Sequence, residues 1–113
     1  MLKPLFDSKG RPIAYVHEGD VFRYDNQVVD RFLGRLDGNE VWRGVYVGEI
    51  VNGNRLLYRE AEGREPRPVG KVPSAPGVPI RPWGMAVCAL PEGFRDLALP
   101  TMDSRTLAQG ERI

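Results

Sequence analysis

Along the chain, apolar residues come in short runs with polar residues interleaved, and glycine-bearing polar triplets separate the runs. That is the spacing of β-strands joined by tight turns. One phrase recurs within the runs: apolar, small, any residue, apolar. It reads IAYV at 13–16, LGRL at 33–36, VGEI at 47–50 and VGKV at 69–72, and its small residues, Ala14, Gly34, Gly48 and Gly70, are 20, 14 and 22 positions apart. Such a spacing is the scale of an internal repeat. The first three copies are followed by EGD at 18–20, DGN at 37–39 and NGN at 52–54. Glycine there tolerates positive φ, and Asp or Asn supplies local backbone hydrogen bonds, so each triplet can reverse one strand into the next. The strands that follow are VFRYD at 21–25, EVWRG at 40–44 and RLLYRE at 55–60, and PLFD at 4–7 opens the first unit. A unit is therefore a strand, a loop such as DSKGRP at 7–12, and a second strand carrying the phrase.

Because alternate strand residues face opposite sides, Ala14, Gly34, Gly48 and Gly70 share a side with Val16, Leu36, Ile50 and Val72. Tyr15, Arg35, Glu49 and Lys71 face the other way. Glycine weakens a strand interior and is kept where another backbone comes close. The pattern predicts an all-β domain over residues 4–72, built of four short hairpin-like units around a central pseudo-fourfold axis. A plain meander of hairpins is the alternative. The expected core is Phe6, Ile13, Val16, Phe22, Tyr24, Leu36, Trp42, Ile50, Leu57 and Val72.

After Val72 the character changes. Pro73, Pro76, Pro79 and Pro82 are three residues apart, the turn of a polyproline II helix, so they should line one edge of an extended arm over residues 73–82. Such an arm is either a ligand for a groove that reads spaced prolines or a stiff segment packed back on its own domain or on a second subunit. The candidate partner-binding residues are Pro73, Pro76, Pro79, Pro82 and Trp83. Residues 83–113 read as an apolar C-terminal segment and a frayed tail: Trp83, Met85, Val87, Leu90, Phe94 and Leu97 ask for a surface to land on, 91–99 suits a short turn or helix, and the polar end is expected to fray.

Composition narrows the function more than it names it. The 113 residues include 13 glycines and 10 prolines, which favours turns over long helices. With 16 basic and 15 acidic side chains, no global charge draws the chain to phosphate backbones or anionic lipid. No apolar run approaches a membrane span, and no signal-peptide pattern is seen, so a soluble cytoplasmic protein is the simplest expectation. The single cysteine, Cys88, cannot form an intramolecular disulfide and reads as a small core residue. His17, the only histidine, falls at a strand end beside a turn, where a solvated role is expected. No nucleophile elbow, phosphate loop or metal motif is present, so no enzymatic activity and no cofactor are expected. Turn residues such as Glu18, Asp20, Asp37 and Glu40 could gather oxygens for Ca²⁺, but their turn role explains them.

The succession of LFDSKGRPIAYV, DVFRYDNQVVDRFLGRL, EVWRGVYVGEIVNGNRLLYR and PVGKV, then a proline-rich run with a late Trp and Phe, resembles the bacterial "4-fold beta flower" proteins over residues 4–97. The resemblance implies four short β-units around a central axis. That family has no established activity, so a fold is implied and no catalytic residue is carried over.

The functional expectation is a structural or interaction module that binds a protein partner or itself, through the arm or through exposed strand edges. The alternative is binding of nucleic acid or another anionic polymer. Arg23-Tyr24, Arg31-Phe32, Trp42-Arg43 and Tyr58-Arg59 juxtapose cations and rings that can stack on bases. Asp20, Asp25, Asp30, Asp37, Glu40 and Glu60 interleave with those arginines and would cancel a positive stripe, so nucleic acid is the less favoured partner.

Overall fold

The computed structural model describes residues 2–24, 30–61, 63–68 and 70–98. The tail expected to fray lies outside them. Eight strands follow one another: β1 (Leu2–Phe6), β2 (Pro12–His17), β3 (Asp20–Arg23), β4 (Phe32–Asp37), β5 (Glu40–Arg43), β6 (Val45–Val51), β7 (Arg55–Arg59) and β8 (Phe94–Asp96). Each pairs antiparallel with the next. A parallel pairing of Phe6 with Arg55 joins β1 to β7, closing a seven-stranded barrel and leaving β8 as an extra strand on β7. Among the described residues no helix is long and apolar enough to cross a membrane.

The turns form where the triplets stand. Glu18 and Gly19 both have positive φ, 52° and 82°, the pattern of a type I′ hairpin turn between His17 and Asp20. Between Asp37 and Glu40 only Gly38, the first central residue, has positive φ, the type II′ pattern. The longer loop DSKGRP is organised by its own aspartate. Buried Asp7 accepts hydrogen bonds from the backbone N–H groups of Lys9 and Arg11 at 3.0 and 2.8 Å, and from Arg11 Nε at 2.7 Å.

The small residue of the phrase has a structural cause. Ala14 lies opposite Leu5, Gly34 opposite Val21 and Gly48 opposite Val41, and in each case a bulge adjoins the small residue within its own strand, with Ile13, Leu33 and Val47 as the extra residues. Small opposite large fills a narrow barrel, and a bulge adds the bend that closure needs. A Cβ built on Gly34 would lie 2.7 Å from the Trp42 carbonyl oxygen, and one on Gly48 2.8 Å from that of Leu57. Leu5, Ala14, Val21, Val41 and Leu56 form the fully buried core, with Ile13, Val16, Leu36, Ile50 and Leu97 packed around it. Tyr15 neighbours Ala14 along β2 and so faces outward, where it joins Phe22, Tyr24 and Phe32 in a second buried cluster.

Several expectations are corrected. β1–β2, β3–β4 and β5–β6 are antiparallel hairpins, but residues 70–72 of the fourth phrase lie in no strand, and Val69 is outside the described residues. Val72 is accordingly 43% exposed instead of core. The segment read as a turn or helix holds β8, whose strand is preceded by a turn at 92–93. Cys88 is half-buried and belongs to neither core cluster. Trp83, Met85, Val87 and Leu90 stay exposed, whereas Phe94 and Leu97 are half-buried.

Candidate interaction surface

The chain after β7 makes a full circuit of the barrel. Arg64 lies over the Tyr46 ring of β6 at 3.5 Å, and Arg67 over Trp42 of β5 at 3.7 Å while its N–H bonds the Gly44 carbonyl at 2.6 Å. Farther on, the Pro76 carbonyl accepts from the Arg31 guanidinium, just ahead of β4, and Arg81 stands 5.7 Å from the Tyr24 ring, just beyond β3. Met85 N–H then bonds the Gly10 carbonyl at 2.9 Å and Cys88 N–H the Ser8 carbonyl at 2.7 Å, before β8 pairs with β7. Residues 64–98 thus act as a strap.

Under the strap the barrel presents rings, and arginines cover them. Trp42, Tyr46 and Tyr58 pack edge to face, with Arg67, Arg64 and Arg95 above; Arg95 is 4.3 Å from the Tyr58 ring. Each such cation–π contact is worth about 0.5–1 kcal/mol when exposed and more when desolvated. The Nη atoms of Arg64 are buried and find no hydrogen-bond partner among the described residues, so the rings supply their compensation. Arg31 bonds the Tyr15 hydroxyl at 2.8 Å, and Arg43 pairs with Asp30 at 2.6 Å over Phe32. That hydrogen bond from Arg43 holds the Asp30 carboxyl below its ordinary range. Burial pushes the Tyr46 phenol up to about 12, reinforced by its hydrogen bond to Glu49 at 2.7 Å. The same carboxylate raises Arg59, 3.0 Å away, and burial raises Tyr24. The carboxylates that interleave with the arginines are used in such pairs: Asp20 with Arg35, Asp37 with Arg67, Glu60 with Arg95.

The outer side of the strap differs from the inner. Pro73, Pro76, Pro79 and Pro82 are half-buried, and every residue between them from Val72 to Trp83 is exposed. One edge of a three-residue period therefore faces the protein. Of the five sequence candidates only Trp83 is freely accessible, at 94% exposure. Ile80, absent from the candidates, is 96% exposed, and Val72, Val78, Met85, Val87 and Leu90 are exposed with it. The signal was present in the period: three residues apart, Ile80 and Trp83 share an edge the prolines do not occupy. Residues 66–91 contain Arg67, Lys71 and Arg81 and no acidic residue.

Elsewhere the side chains offer little chemistry. His17 is half-buried with Nε2 3.5 Å from Glu18 Oε2, and among the described residues no three His, Cys, Asp or Glu gather at a metal-binding distance. No protein-family model matches the chain, and comparisons with curated proteins and with solved structures returned no match.

Proposed function

We propose that the protein is a non-enzymatic interaction module that associates with a second copy of itself through the outward apolar edge of the strap. The observation that carries this reading is the near-complete exposure of Ile80 and Trp83 on a segment whose prolines are turned inward. Large exposed apolar side chains close together mark interaction sites, and tryptophan, with arginine beside it, is a common centre of binding energy. A net charge of +1 sets up little repulsion between copies. The strand edges offer less: β1 carries exposed Lys3 and half-buried Pro4, which lacks an N–H, and both features blunt strand addition. In this reading the chain is built of four units, the last of which has surrendered its second strand to the strap.

A proline-reading groove would need the proline edge, which is turned inward. The nucleic-acid alternative rests on the rings of Tyr24, Phe32, Trp42 and Tyr58, and these are buried or covered by the chain's own guanidinium groups. Sedimentation velocity across a concentration range tests the proposal. The expected result is reversible dimerisation that the Ile80→Ser, Trp83→Ser double variant weakens at least tenfold at unchanged thermal stability. A protein monomeric up to its solubility limit, or a double variant that dimerises like the parent, refutes it.

A further inference from the structure

Six of the seven junctions of the barrel are antiparallel ladders with three to five registered residue pairs. The seventh, between β1 and β7, has the single pair Phe6–Arg55 and the bond from Phe6 N–H to the Asn54 carbonyl at 2.8 Å. The edge of β7 beyond that point is occupied by β8, with Leu57 opposite Asp96 and Arg59 opposite Phe94. Further bonds across the seam run through the end of the strap. Buried Arg55 donates to the Asp7 carbonyl at 2.8 Å and to the Ala86 carbonyl at 2.7 Å, tying together β7, the β1–β2 loop and the strap. Met85 and Cys88 N–H groups bond the Gly10 and Ser8 carbonyls of that loop. The Asp96 carboxylate accepts from Ser8 N–H at 2.7 Å and from Ser8 Oγ at 2.6 Å. Leu97 packs on the core, and a Cβ on Gly48 would come within 3.0 Å of its Cδ1.

We infer that residues 85–97 are a latch across the β1–β7 seam, and that when it lifts the barrel opens there while the other junctions hold. Proteins open locally where few bonds must break, with free energies below that of global unfolding. The seam meets that condition once the bonds to Ser8, Gly10 and Ala86 are gone, because what then remains of these bonds is the registered pair Phe6–Arg55 with its Phe6 N–H bond and the bond from Arg55 to the Asp7 carbonyl. The latch begins two residues beyond Trp83, so whatever grips the exposed edge of the strap pulls on the seam. The inference stands on the seam geometry alone and holds whether or not the strap edge docks a second copy.

An internal comparison tests it. Three amides make the same turn-to-strand bond: Leu36 N–H to Gly19 O at 2.8 Å, Ile50 N–H to Asn39 O at 2.7 Å, and Phe6 N–H to Asn54 O at 2.8 Å. Only the last lies at the seam. Residue-resolved amide hydrogen exchange on the full chain is expected to show Phe6 exchanging faster than Leu36 and Ile50. Asp96→Ala, which removes both bonds to Ser8, is expected to accelerate Phe6 a further tenfold or so while leaving Leu36 and Ile50 unchanged. Ser8→Ala, which removes the hydroxyl bond alone, serves if Asp96→Ala does not fold and should give a smaller acceleration confined to Phe6. Equal protection of the three amides in the parent, or a uniform acceleration in the variant, would overturn the latch.

Discussion

Replacing Gly48 with valine puts the packing argument at risk in one step. The φ of Gly48 is not in the left-handed region, so space alone decides the outcome. With room available, valine in a strand would gain up to about 1 kcal/mol over glycine through lower backbone entropy and better strand packing. Here the new Cβ meets the Leu57 carbonyl oxygen at 2.8 Å and Leu97 Cδ1 at 3.0 Å. The leucine methyl can swing away. The carbonyl belongs to β7, where Leu57 is registered with Glu49 of β6, and moves only if that ladder moves. Overpacking of this kind costs about 1–3 kcal/mol, occasionally more. We expect a net loss of about 1–2 kcal/mol, which in a domain this small lowers Tm by roughly 5–15 °C. The assay is thermal and urea unfolding followed by circular dichroism, with Gly48→Ala as a milder step. Adding Leu97→Ala to Gly48→Ala should make the pair less destabilising than the sum of the two, since the truncated side chain clears part of the space. A folded Gly48→Val protein with a midpoint at or above the parent's would refute the close-approach reading.

Two further outcomes follow from burial and ionisation. Leu56→Ala, at a fully buried position, should cost about 2–5 kcal/mol, whereas Val72→Ala, at an exposed one, should stay within about 0.5 kcal/mol; urea midpoints decide between this assignment and one in which Val72 is core. The Tyr46 phenol ionises near 10 in the unfolded chain and near 12 in the folded protein. Its stabilising contribution is therefore complete below pH 10 and declines as pH rises to about 12, by up to about 3 kcal/mol in all. Denaturation series between pH 8 and 12 should show that decline, and Tyr46→Phe should remove this part of it.

Much of the local structure was legible in the residues themselves. The triplets at 18–20, 37–39 and 52–54 named their turns because Gly, Asn and Asp carry turn chemistry that depends on few neighbours. The pairing of Ala14, Gly34 and Gly48 with Val16, Leu36 and Ile50 on one side follows from strand alternation. The core was read less completely: Phe6, Phe22, Tyr24 and Leu57 are buried, but Leu5, Val21, Val41 and Leu56, each facing the inside of the barrel, were missed. Their runs are apolar on both faces, because the strap shields the outer one, and period two then gives no side preference.

Sequence by itself determined that this chain makes short strands, where they turn, and which residues share a face, since those properties are set within a few residues of backbone. Tertiary structure alone decided that β1 meets β7, that the fourth phrase leaves the sheet, that residues 94–96 form a strand, and that the strap turns its prolines in and Ile80 and Trp83 out. Each of these rests on partners far apart along the chain, such as Phe6 with Arg55 and Ser8 with Asp96. Alternation tells a residue which side it faces. Which edge will find which is decided by the closure of the whole barrel.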